Sequence, residues 1–257
     1  MKENKYDDES FFRKYGEMGR SKEGLIAAGE WETLKALLPD FKGKRMLDIG
    51  CGYGWHCIYA VERGARSVVG VDISQRMLEV ARKKTSYPEI EYLCAAMEDM
   101  DFPPESFDII LSSLALHYTE SYSSIVKKAY SYLKPEGVLV FSVEHPVFTA
   151  YGTQDWHRDD KGNIMHFPVD NYFYEGKRNA RFLGEEVVKY HRTLTTYINE
   201  LLTNGFEILR MVEPMPAPWM LKSMDGMRDE LRRPMMLIVS AAKPKDPKRF
   251  LNASAKR

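Results

Sequence analysis

At 257 residues the chain is long enough for one large α/β domain with a substantial core, carrying at most a small cap. Its 37 basic and 37 acidic residues cancel, which removes a chain-wide electrostatic footprint for nucleic acid or an anionic membrane. Three cysteines without metal spacing (Cys51, Cys57, Cys94), a polar acidic beginning and the lack of any run of about eighteen apolar residues lead to the expectation of a cytoplasmic protein with reduced thiols, bound neither to nucleic acid nor to membrane.

In chain order, Phe11, Phe12, Tyr15 and Met18 suggest a short helix or lid within residues 1–21. Leu25, Ile26, Ala28, Trp31, Leu34, Leu37 and Leu38 then recur at helical spacing, which predicts one helix across residues 22–38, ended by Pro39. Residues 45–49 and 67–72 read as strands, joined by a glycine-rich turn and a helix from 55 to about 63. Ser74 is a ready N-cap for a helix that turns Met77, Leu78 and Ala81 inward. Residues 90–94 make a third strand, and the nearly continuous apolar run at 107–112 a fourth, of the kind buried on both faces. A helix at 122–133 leads through Lys-Pro-Glu-Gly into a fifth strand at 138–143. This alternation predicts a parallel, doubly wound sheet.

After His145-Pro146 the periodicity lapses for roughly forty residues, an unusual gap in a compact domain. The gap is rich in aromatics (Phe148, Tyr151, Trp156, Phe167, Tyr172, Phe173, Tyr174, Phe182) and reads as an inserted cap, partly hairpin, that could lie over a substrate as a lid. Residues 187–191, a helix from Thr193 that stops at Asn204-Gly205, and strands at 206–212 and 236–241 complete the pattern. The expected organisation is a lid at 1–21, a cofactor-binding core at 22–145, the aromatic cap at 146–190, the C-terminal part of the core at 191–242 and a flexible Lys/Pro-rich tail at 243–257.

The run M-L-D-I-G-C-G-Y-G-W-H at residues 46–56 puts Gly50, Gly52 and Gly54 in a G-x-G-x-G pattern. Trp55 stands where a dinucleotide fold needs its third glycine for helix packing, which disfavours a nicotinamide or flavin. Asp48 and Asp72 end the first two strands, on the side where open α/β sheets bind ligands. A carboxylate at Asp72 matches the vicinal hydroxyls of a ribose, and Ile73 beside it would press on an adenine face.

D-I-G-C-G-Y-G, together with F-D-I-I-L-S-S-L-A-L-H-Y at 107–118, resembles the motifs of class I S-adenosylmethionine-dependent methyltransferases, in style the bacterial small-molecule group related to quinone biosynthesis. The resemblance covers about residues 22–143 and, more weakly, the last two strands. It implies a Rossmann-like seven-stranded sheet in the order 3-2-1-4-5-7-6, the last strand antiparallel, with helices on both faces and the inserted cap. It further implies S-adenosyl-L-methionine as cofactor and S-adenosyl-L-homocysteine as product. Gly50, Cys51 and Gly52 would line the methionine and ribose, Asp48 would order the α-amino end, and Ser112 would end its strand near the sulfonium. Where the family carries an acid near the adenine amine this chain has Ala96, so Glu98, or main-chain atoms around Met97, would take that contact. Arg20 could pair with the cofactor carboxylate.

The implied reaction is in-line methyl transfer to oxygen, nitrogen or carbon of a small-molecule acceptor, and the absence of Asn/Asp-Pro-Pro-Tyr points away from nucleobase methylation. Candidate proton acceptors are His117, Glu144, His145 and His191. The irregular set Glu144, His145, Asp155, His157 and His166 lacks metal-ligand spacing, so no metal is expected. The alternative to an enzyme is a non-catalytic protein that keeps the cofactor pocket as a sensor or partner subunit.

Overall fold

A computed structural model describes residues 4–246. The chain opens with short helices α1 (Glu9–Gly16), α2 (Gly19–Lys22) and α3 (Trp31–Leu37). The core follows as β1 (Arg45–Ile49), α4 (Trp55–Glu62), β2 (Ser67–Asp72), α5 (Gln75–Lys84), β3 (Ile90–Cys94), β4 (Phe107–Ser113), α6 (Tyr122–Tyr132) and β5 (Leu133–Glu144). Then come α7 (Pro146–Thr149), the two-stranded pairs β6 (His157–Arg158) with β7 (Ile164–His166) and β8 (Gly176–Phe182) with β9 (Glu185–His191), and finally α8 (Leu194–Thr203), β10 (Glu207–Val212), α9 (Pro218–Ser223) and β11 (Met236–Ala242).

The seven-stranded sheet runs β3-β2-β1-β4-β5-β11-β10, with β11 antiparallel to both of its neighbours, which is the 3-2-1-4-5-7-6 order. Its central strands are buried on both faces, and two apolar clusters, one around Phe107, Phe141 and Tyr197 and one around Trp31, Met46 and Leu78, cover the two sides. Parallel register of β1 with β2 and with β4 brings the carboxyl ends of these strands to one edge, where the turns that follow them converge.

Three expectations about the elements are corrected. The single helix across 22–38 is instead a 3-10 turn at Gly24–Ala27 followed by α3: Gly24 takes a left-handed φ of 74° against the Trp55 ring and Ala28 is extended at φ −85°, ψ 120°, so the helical path is broken on both sides of the turn. The fifth strand starts at Leu133, with the Lys-Pro-Glu-Gly segment inside it as an irregularity: Glu136 and Gly137 bond the main chain of Lys243. Lys243, read from sequence as tail, is therefore buried, with Nζ donating to Leu133 O at 2.7 Å. Residues 247–257 of the expected tail lie outside the described residues.

Among the described residues no helix is long and apolar enough to cross a membrane.

Candidate active site

The glycine-rich turn is built by three left-handed residues: Gly50 at φ 75°, Gly52 at 52° and Gly54 at 75°. Both Gly50 N–H and Cys51 N–H donate to Val71 O, tying the turn to β2. An added Cβ at Gly50 would lie 2.3 Å from Ala115 Cβ, and one at Gly54 2.2 Å from Tyr92 Oη. At Gly52 it would meet nothing within 4 Å. Two of the glycines thus let neighbouring chain come close, whereas Gly52 leaves its space open to a cavity.

That cavity has a volume of about 810 Å³. Gly50, Gly52, Asp72, Ile73, Ala96, Met97 and Glu98 form one wall, and the exits of β4 and β5 form the floor. Asp72 accepts from Gly52 N–H at 2.9 Å on Oδ2 and from Ser74 N–H at 2.9 Å on Oδ1. Each oxygen retains a second lone pair for a ligand hydroxyl. Burial holds the Asp72 carboxyl above its ordinary range, and the backbone donors offset only part of that rise. Glu98 accepts from Thr119 Oγ1.

Over this wall lies the start of the chain. Asp7 accepts from Ser74 Oγ at 2.5 Å and from Arg76 N–H at 3.2 Å, while Asn4 Nδ2 donates to Ile73 O. Tyr6, Tyr15, Met18 and Arg20 thereby come to line the cavity. Tyr6 Oη donates to Tyr118 Oη at 3.2 Å, and the rings of Tyr15 and Tyr118 stand edge-on to Tyr6. Arg20 is paired with the buried Glu30 at 3.1 Å.

The floor carries a polar group that sequence reasoning missed. Lys189, with 2 % of its side chain exposed, donates to Glu144 Oε1 at 2.6 Å and to Gln154 Oε1 at 3.0 Å, and Gln154 Nε2 donates to Glu144 Oε2 at 2.6 Å. Burial alone would raise Glu144, but His117, Lys189 and Gln154 hold its carboxyl below the ordinary range. His117 lines the same cavity and is pushed by burial down to about 4, so the ring is neutral near pH 7. Glu144 N–H points at His117 Nδ1, 3.4 Å away, which leaves the proton on Nε2. The nitrogen left over then carries the donor.

Several sequence candidates lie elsewhere. Asp48, Cys51 and Ser112 are buried behind the turn and do not line the main cavity: Asp48 accepts from Cys57 Sγ at 3.3 Å, and Ser112 Oγ donates to Ile49 O. His145 caps α7 by accepting from Val147 N–H and lies 2.8 Å from Glu213. His191 has both ring nitrogens occupied, by Thr149 Oγ1 and Tyr172 O. Of the cap aromatics, Phe148, Trp156 and Phe167 surround the Arg233 guanidinium, whereas Tyr151, Phe173 and Tyr174 are exposed. Phe148, Phe182 and Tyr190 are the cap rings that line the cavity. Among the described residues no three His, Cys, Asp or Glu side chains converge as a metal site.

Residues 47–141 match the methyltransferase-domain family. A solved structure from Listeria monocytogenes, assigned as an S-adenosylmethionine dependent methyltransferase, is 56 % identical with a TM-score of 0.81, covering 86 % of this chain and 99 % of that one. An S-adenosylmethionine dependent methyltransferase from Mesorhizobium loti is 40 % identical with a TM-score of 0.79, covering 85 % of this chain and 100 % of that one. A ubiquinone biosynthesis O-methyltransferase of Neisseria meningitidis serogroup C is 30 % identical over 51 % of this chain and 68 % of its own length.

Proposed function

The chain belongs to the class I S-adenosylmethionine-dependent methyltransferases, and from that premise we propose that it methylates a small-molecule acceptor held between the glycine-turn wall and the floor at Glu144 and Lys189. The observation that carries this reading is the cavity itself. At about 810 Å³ it falls within the range of small-ligand pockets, roughly 300–1,000 Å³. It is roofed by residues of the 5–20 segment and by the turn end of the β8–β9 pair, while Lys189, further along β9, reaches the floor. The likeness to a ubiquinone biosynthesis O-methyltransferase adds support for an acceptor of small size.

S-adenosylmethionine, when bound, supplies a methyl carbon on a positively charged sulfur. The cradle fits that group: Gly52 is open where a side chain would intrude, and Asp72 keeps free lone pairs for the ribose hydroxyls. Ile73, Ala96 and Met97 offer apolar surface for the adenine, and Glu98 is the acid nearest to the role of amine acceptor. Tyr6, Tyr15 and Tyr118 line the cavity with ring faces and edges, which would favour a cationic sulfur and exclude water from it. The floor then has to hold the acceptor atom in line with methyl and sulfur, which is the larger part of catalysis in such a displacement.

To test this, the protein is incubated with methyl-tritiated S-adenosylmethionine and a clarified bacterial extract, and the products are separated by ultrafiltration. Label that enters the filtrate as a new small compound is the expected result. Label confined to retained protein or RNA would contradict a small-molecule acceptor.

A further inference from the structure

The cavity floor holds a buried ammonium that has not spent all its donors. Lys189 is buried there against Glu144, and Arg192 is buried behind it, outside the cavity lining; both cations act on the ring of His117. Arg192 is held by the carbonyls of Thr119 and Glu120 and by the face of Tyr122, with no carboxylate of the described residues bonded to it. A buried ammonium facing a cavity is a place where an anionic ligand would add a charge-assisted hydrogen bond.

Donor geometry points the same way. Lys189 has three N–H donors and spends two, on Glu144 and Gln154. Gln154 is itself held in a left-handed conformation at φ 64°, unusual for a residue with a side chain, while it supports Glu144 and Lys189. His117 spends Nδ1 on Glu144 N–H, so its remaining donor is Nε2–H. At the rim, Lys177 and Arg181 line the same cavity from one face of β8.

We propose that Lys189 and His117 form a carboxylate-binding subsite, so that the methyl acceptor is a small organic acid anchored by its carboxylate to Lys189 Nζ and His117 Nε2–H. The inference rests on the methyltransferase reading and adds the acceptor's chemical class. Lys177 and Arg181 draw the anion to the mouth, Lys189 and His117 fix it on the floor, and Phe148 and Phe182 flank its apolar body.

The test uses protein saturated with S-adenosylhomocysteine and calorimetric titration of matched probes: benzoate and benzamide, 4-hydroxybenzoate and 4-hydroxybenzamide, hexanoate and hexanamide. At least one acid should bind about tenfold or more tighter than its amide, as a lost charged hydrogen bond predicts. Lys189→Gln should abolish that preference while leaving S-adenosylhomocysteine affinity unchanged. No acid preference in the parent protein, or a preference that survives Lys189→Gln, overturns the proposal. Should Lys189→Gln fail to fold, long-range proton–nitrogen spectra of the parent protein decide the matter. A neutral Nε2–H tautomer at His117 whose nitrogen shifts move on adding the acid probes is expected; an Nδ1–H tautomer, or shifts that do not respond, overturns it. Failure of S-adenosylhomocysteine itself to bind would count against the methyltransferase reading instead, so the two failures are distinguishable.

Discussion

Asp48 and Lys189 are both buried ionisable groups, and they stand on opposite footings. Lys189 has Glu144 and Gln154, whereas Asp48 has Cys57 Sγ on one oxygen and no partner on Oδ1. Burial pushes the Asp48 carboxyl from its ordinary 3.8 up to about 7. Between those values the folded protein binds more protons than the unfolded chain, so Asp48 makes stability fall as pH rises from about 4 to about 7, with no further change above. Asp48→Asn removes the ionisation. Urea unfolding across this pH window should therefore give a flatter profile for the variant, with its advantage over the parent largest at the alkaline end. Parallel profiles would mean that Asp48 does not hold its proton in the fold.

At the scale of elements, the roof of the cavity is one assembly drawn from two distant parts of the chain. Phe11, fully buried, packs with Ala180 and Val187 of the β8–β9 pair and meets the Phe182 ring edge-on. Lys5 and Lys14 both pair with Glu185, beside the two-residue turn at Leu183-Gly184, where both φ values are positive as a tight hairpin of this hand requires. Phe11→Ala should remove the keystone of this small cluster, in a class of substitution that costs about 3–5 kcal/mol in well-packed cores. Amide exchange should quicken across residues 5–16 and 176–191, S-adenosylhomocysteine should bind more weakly, and the central sheet should keep its protection. Uniform loss of protection over the whole chain would mean instead that the roof unfolds only with the core.

The whole molecule divides into what local pattern dictates and what tertiary contact decides. The parallel strands were legible because residues such as Leu47, Val69 and Ile110 are buried on both faces and leave uninterrupted apolar runs between glycine and proline signals. Asp72 and the turn at Gly50 and Gly52 were legible because their chemistry is local: a carboxylate at a strand end, and glycines where φ is positive. The break at Gly24 was not, since it depends on Trp55 some thirty residues on. Neither was the fate of His145 and His191, whose partners Glu213, Thr149 and Tyr172 come from other segments. Lys189 did leave a trace, as a lysine at an inward position between Val187 and His191 in an alternating strand, but its meaning needed Glu144 beside it.

The central claim is that the glycine turn and Asp72 hold S-adenosylmethionine in the roofed cavity. Calorimetric titration of the parent protein and of Asp72→Ala with S-adenosylhomocysteine, with NADH as control ligand, tests it most directly. The sulfur nucleoside should bind the parent and bind the variant about tenfold or more weakly through two missing charge-assisted hydrogen bonds, and NADH should bind neither. Equal affinity of parent and variant for S-adenosylhomocysteine would contradict the central claim.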